Sequence, residues 1–125
     1  MTAAASLATA LLVVLIGFQV ALAAGAPWGR ATYGGVWSGV LPKGIRINSL
    51  VFAVLIYPLL VLYVLHVGEV ATVDWLPAPT VVIWVMVAFF GLSTLANAAS
   101  RSKIERLWAP VSLILTICTL VLALG

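Results

Sequence analysis

Charge is scarce in this sequence. Asp, Glu, Lys and Arg make up 7% of its 125 residues, while 65% are hydrophobic. A water-soluble domain carries about 25% charged residues, so this chain lacks the polar surface such a domain needs. Soluble enzymes and soluble nucleic-acid binders are therefore excluded, and the net charge of +3 has no nucleic-acid meaning. The charge-free stretches run over 1–29, 47–68, 75–100 and 107–125. Each is close to or above the roughly 20 apolar residues that a helix needs to cross the hydrocarbon of a bilayer.

Chemistry-bearing side chains are equally sparse. Cys118 is the only cysteine and His66 the only histidine. A four-helix thiol oxidase needs paired cysteines, and bis-histidine haem ligation within one chain needs two histidines. No span carries an ionisable residue near its centre, which argues against proton-coupled transport. Small multidrug transporters depend on a carboxylate in their first helix, and helix-bundle sterol isomerases on intramembrane acids and histidine. Both patterns are missing, as is the glycine-arginine N-terminus of small fluoride channels. No cofactor and no metal are expected.

What remains is an all-α chain: an integral membrane four-helix bundle with a long Gly/Trp-rich first loop, folded as a single transmembrane domain. The composition predicts helices at about 3–24, 47–67, 80–98 and 103–124. The apolar runs are continuous rather than alternating, which excludes a β-barrel. Ala21-Leu22-Ala23 has the look of a signal-peptide cleavage site. However, the segment lacks a basic start and is longer than the roughly 7–15 apolar residues of a signal peptide, so it is read as the first helix. Pro58 should kink the second helix and free the Val54 carbonyl. Asp74-Trp75-Leu76-Pro77-Ala78-Pro79 should stop the chain before the third helix. Ser102-Lys103-Ile104-Glu105 fits a capping box at the start of the fourth, with Pro110 an awkward residue just inside it.

The basic residues set an orientation. Arg30, Lys43 and Arg46 belong to the first connection, and Arg101, Lys103 and Arg106 to the third. The second connection and both termini carry no Lys or Arg. The positive-inside rule places connections one and three in the cytoplasm and both termini outside. Contact with anionic lipid heads is a second use for the same residues, with topology signalling preferred.

Residues 25–44 hold six of the ten glycines and two of the five tryptophans. Loops of this length without structure of their own are often functional. Trp28, Tyr33 and Trp37 are candidates for a lid that folds back between the helix ends. The competing reading is an interfacial connector with aromatic anchors. Beneath the loop, Gln19, Arg46, Asn48, Asn97, Arg101, Glu105 and Arg106 form a candidate polar cluster. It serves either as a hydrogen-bonded seal, the preferred reading, or as a small pocket. Gly17, Ala21 and Gly25 make a small-residue face on the first helix, suited to packing a neighbour within the chain or a second copy. His66, Glu69 and Asp74 are too few and too exposed to argue for a metal, and read as polar residues at a helix end. Cys118 reads as a small apolar side chain.

Two patterns, Gly25-Ala26-Pro27-Trp28-Gly29 through Tyr33-Gly34-Gly35 to Leu41-Pro42 and Arg46, and Asn97, Ser100, Ser102, Glu105-Arg106 and Trp108-Ala109-Pro110, span most of the chain. They resemble a family of uncharacterised small bacterial four-helix inner-membrane proteins. The resemblance implies the architecture and a bacterial plasma membrane, and it brings no activity with it. The expectation from the sequence is a non-catalytic membrane protein with a structural, accessory or lipid- or small-ligand-binding role. Its partners would be the lipid bilayer, a second copy or another membrane protein. A small homo-oligomeric channel is the alternative, and a lipid head-group enzyme using Glu105, Arg106, Arg101 and Asn97 a more distant one.

Overall fold

A computed structural model describes residues 2–125. It contains four long helices and, among the described residues, no strand: α1 (Thr2–Ala23), α2 (Lys43–Val67), α3 (Pro79–Ala98) and α4 (Glu105–Leu124). All four are long and apolar enough to cross a membrane. Helices α1 and α3 match the sequence expectation within a residue.

The other two helices differ from that expectation for physical reasons. α2 begins at Lys43, where Arg46 N donates to the Pro42 carbonyl at 2.9 Å. Absence of charge marks the hydrocarbon rather than the helix end, so the polar first turn of α2 escaped the reading. At Pro58 the chain adopts a π-helical stretch, Phe52–Ile56, in which Tyr57 N bonds Phe52 O. This wider turn makes room for the proline ring, which would otherwise press on the carbonyl four residues back. α4 opens as a 3-10 turn, Glu105–Leu107, and becomes α-helical from Trp108. Pro110 then lies in the first α-helical turn, where its missing N–H is not needed.

The helices pack unevenly. α3 and α4 share the most extensive contact, and α1 bridges α2 and α4, whereas α2 meets α3 sparsely. The dry core fills the half of the bundle nearest the chain termini, built from Ala5, Ala8 and Leu12 of α1, Tyr63 and Val64 of α2, Ile83, Met86 and Phe90 of α3, and Leu115, Cys118 and Leu122 of α4. In lipid such packing rests on close van der Waals fit and small residues rather than on water exclusion. The close approach falls at Gly68, where an added Cβ would collide with Ala5 Cβ. Gly17 does not serve this purpose, because a Cβ there would meet open space. Of the two glycines in the Gly17/Ala21/Gly25 face, Gly25 is the one with a close neighbour, the Arg46 guanidinium. The outer faces are apolar, with Leu92 and Leu95 each 68% exposed.

The connection between α2 and α3 is tied down by side chains. Tyr63 Oη donates to the Pro77 carbonyl at 2.8 Å, and His66 Nδ1 accepts Val73 N–H at 3.1 Å. Among the described residues His66, Glu69 and Asp74 do not gather into a metal-binding group. Ala78, the residue before Pro79, sits in the left-handed region at φ 46°. That conformation costs an L-residue about 1 kcal/mol or more, and glycine much less. Ala78→Gly should therefore raise unfolding stability by about 0.5–1 kcal/mol, measured by denaturant titration in detergent. A lower midpoint would show that the strain is relieved elsewhere.

Candidate functional site: a lidded cavity at the basic end

The site grows from the end of α1. That helix has no basic residue in its last turn, and Arg46 of α2 supplies one. Its Nε and Nη2 donate to the Ala23 carbonyl at 3.2 and 3.1 Å. A guanidinium there satisfies an orphan carbonyl and meets the negative end of the helix dipole. The chain then turns through Gly25, at φ 101°, and enters the first loop.

That loop is folded on itself. Gly29 N donates to Gly39 O at 2.8 Å and closes it, and two 3-10 turns, Gly29–Ala31 and Tyr33–Gly35, shape its interior. Gly29 is required by space: an added Cβ would lie 2.6 Å from the Gly39 carbonyl oxygen. Tyr33, Gly34 and Gly35 are left-handed in succession, at φ 50°, 70° and 74°. This run turns the Gly34 N–H toward α4, where the Glu105 carboxylate accepts it at 2.7 Å. Beside it, Ser102 Oγ donates to the Arg30 carbonyl and accepts Glu105 N–H at 3.4 Å. The first loop is thus pinned to the third connection.

This arrangement alters the expected capping box. Its serine half forms, but the Glu105 carboxylate bonds the lid instead of Ser102 N–H. Ser102 N–H turns to Ser100 Oγ at 3.2 Å. The left-handed run at 33–35 places a better-aimed donor in front of the carboxylate, and Glu105 is only 6% exposed. Arg106 Nε donates to Ser100 O at 2.6 Å and braces the same connection.

Beneath the pinned loop lies a cavity of about 290 Å³. All four helices contribute to its wall: Gln19 from α1, Tyr57 from α2, Ser93 and Asn97 from α3, and Glu105 and Ser112 from α4. Thr32, Tyr33 and Gly34 roof it. Tyr33 is held in place by Asn48, whose Nδ2 donates to the Tyr33 hydroxyl, and by the edge of Trp37, with ring centroids 5.9 Å apart. Six aromatic residues line the cavity: Phe18, Tyr33, Tyr57, Phe89, Phe90 and Trp108.

Its formal charge is one-sided, with Glu105 the one carboxylic acid in the wall. Gln19 Oε1 is buried without a hydrogen-bond partner. Asn97 Nδ2 donates to Ser112 Oγ at 3.4 Å, and Ser93 donates its hydroxyl hydrogen to Phe89 O at 2.8 Å, leaving its lone pairs free. With the Glu105 carboxylate, these acceptors stand in the same wall as the hydroxyl groups of Thr32, Tyr33 and Tyr57, which can also donate. The wall contains no Lys, Arg or His. A buried unpaired acceptor of this kind costs about 1–3 kcal/mol unless something donates to it.

Of the residues expected to cluster, Gln19, Asn97 and Glu105 converge on the cavity. Arg46 caps α1, Asn48 acts through Tyr33, Arg106 braces the third connection, and Arg101 lies on the outer side of the loop. The seal expected there is incomplete, since Gln19 is unpartnered. Of the lid aromatics, Tyr33 reaches the cavity; Trp37 supports it, and Trp28 stacks on Phe18 outside, with centroids 6.3 Å apart. Tyr57 was missed, because an aromatic inside an apolar run carries no signal of what it faces.

Comparison with protein-family models, curated proteins and solved structures returns no match. What the fold itself defines is a class: a multi-pass, all-α membrane protein whose first loop covers one end of a four-helix bundle.

Glu105→Ala should unpin the lid. Losing a hydrogen bond to a charged acceptor costs about 1.5–3 kcal/mol. Amide exchange across residues 29–39 should therefore accelerate by about tenfold or more, while that of the α3 core around Met86 stays unchanged. Equal acceleration in both regions would mean that Glu105 supports the whole bundle rather than the lid.

Proposed function

We propose that this chain is a non-catalytic membrane protein that binds a small hydrogen-bond-donating ligand, an amine above all, in the cavity under its first loop. The observation that carries this reading is the unpartnered Gln19 Oε1 in a wall with one carboxylate, six aromatic rings and no cation. An ammonium group satisfies both parts of that wall. It donates to Gln19 and Glu105, and it is attracted to the faces of the surrounding rings. The volume is at the lower end of ligand pockets and suits about ten non-hydrogen atoms.

The six-to-none distribution of Lys and Arg supports a cytoplasmic position for the lidded end, with both termini outside. The resemblance noted above supports a bacterial plasma membrane. An enzyme acting on lipid head groups finds less support. Arg101 and Arg106, its anion-binding groups, lie outside the cavity wall that holds Glu105 and Asn97.

The test compares phenethylammonium with phenylacetate, which has similar size and opposite charge, on the full chain in lipid nanodiscs. Phenethylammonium should raise the melting temperature and add one mass per chain in native mass spectrometry, and phenylacetate should do neither. Gln19→Leu and Glu105→Gln should each weaken amine binding about tenfold, as expected for a lost hydrogen bond to a charged group. Binding of neither compound, or of both equally, overturns the proposal.

A further inference from the structure

The outer side of the first loop carries a second recess with the opposite polarity. Arg30 from the loop joins Arg101 and Lys103 from the third connection around a depression of about 410 Å³, floored by Gly34, Gly35 and Ser102. Gly35 is needed for the loop to lie this close, since an added Cβ would come within 2.6 Å of Ser102 Cβ. All three cations are exposed. None of the chain's acids is placed to neutralise them: Glu69 and Asp74 follow α2 at the far end of the bundle, and Glu105 is turned inward onto Gly34.

This basic recess does not stand alone. An apolar groove of about 620 Å³ adjoins it, and Arg30 and Ile104 line both. The groove runs between α1 and α4 over Phe18, Trp28, Leu107, Trp108 and Val111. Phe18 and Val111 lie within the membrane-spanning helices, so the groove descends from the basic recess along the lipid-facing flank. Trp28 stacks on Phe18, and Trp108 meets Phe18 at a tilt of 49° with centroids 4.6 Å apart, so three aromatic rings adjoin along the groove.

We infer that this flank is a binding site for one anionic phospholipid, with its phosphate among Arg30, Arg101 and Lys103 and an acyl chain in the groove over Trp28 and Trp108. Charge complementarity selects the head: guanidinium groups bond phosphate oxygens in pairs, and uncompensated cations at a membrane surface attract anionic lipid. The groove selects a lipid over a free anion, because inorganic phosphate would leave it empty. Tryptophan at both sides of the groove suits the depth where head and chain meet. Phe18, Trp108 and Gly34 border both this site and the amine cavity. Arg30, Arg101, Lys103 and Leu107, which carry this inference, lie outside the cavity wall, so it does not depend on that reading.

The experiment is native mass spectrometry of the full chain from nanodiscs holding equal amounts of phosphatidylglycerol and phosphatidylcholine. One phosphatidylglycerol should be retained per chain, at least tenfold over phosphatidylcholine. Arg30→Gln and, as a second variant, Lys103→Gln should each cut that preference severalfold. Lys43→Gln, a cation outside the recess, should leave it unchanged. Leu107→Gln, at an exposed groove position, should shorten retention without abolishing the head-group preference. Equal retention of the two lipids overturns the inference. So does an equal effect of Lys43→Gln and Arg30→Gln, which would indicate only diffuse attraction. Glycerol phosphate competing as strongly as the intact lipid would likewise overturn it, in favour of a site for a free anion.

Discussion

The hydrogen bond from Gly34 N–H to the Glu105 carboxylate is the contact on which the basic end of this protein depends. It joins groups 71 positions apart in the chain and is made by a side chain only 6% exposed. An ionised carboxylate withdrawn from water must be hydrogen-bonded, or burial becomes prohibitive. The backbone meets that need with three consecutive left-handed residues, two of them glycine. A β-carbon at Gly34 or Gly35 would strain the turn that aims the N–H. Serine 102, which bonds the Arg30 carbonyl, fixes the same loop from its other side.

That contact closes one of the two halves into which helix packing divides the bundle. Toward the termini the four helices close on a dry core, with Gly68 against Ala5 and Leu12, Phe90 and Leu115 fully buried. Toward the basic end α2 leans on α1 and hardly touches α3, so the helices alone would leave a gap there. In a bilayer nothing forces such a gap to collapse, because lipid tails are as apolar as the helix surfaces. Polar groups placed in it need partners, and the pinned loop supplies a roof under which some are satisfied and Gln19 is not. The π-helical stretch Phe52–Ile56 contributes as well, since it immediately precedes Tyr57, the α2 residue that faces the cavity.

Much of the architecture was legible because it follows from a single strong signal. Four charge-free runs of membrane-spanning length admit few other structures, and α1 and α3 ended where charge and proline said they should. The α2 start was missed because Lys43 and Arg46 read as loop charges, although a helix projecting past the hydrocarbon carries such residues easily. Glu105 was legible as an important residue but not in its role. Ser102-x-x-Glu105 is a local pattern, and the competing donor, Gly34, is far away in sequence. The polar cluster was legible as a depth and not as an arrangement. Gln19, Asn97 and Arg106 share a level in the membrane, and only the helix rotations decide which faces inward. Arg30 was counted for topology, with lipid-head contact a general second use, and no grouping could be drawn, because its neighbours Arg101 and Lys103 reach it only through the Ser102 contact.

That contact explains how one short loop separates two chemistries. On its inner side the loop meets a carboxylate and an unpaired amide oxygen, and no cation enters the wall. On its outer side it gathers Arg30 with two cations of the third connection. Reversal of this polarity would be costly at both places. A guanidinium turned inward would lose its hydration to face a single carboxylate already bonded to Gly34, and a carboxylate turned outward would leave that N–H unpaired. The sorting of charge is therefore a consequence of the same hydrogen bond that closes the lid. Lid position and outer charge are coupled for the same reason: displacement of residues 29–35 away from α4 also carries Arg30 away from Arg101 and Lys103. The two recesses thus share one piece of backbone, with Gly34 bordering both.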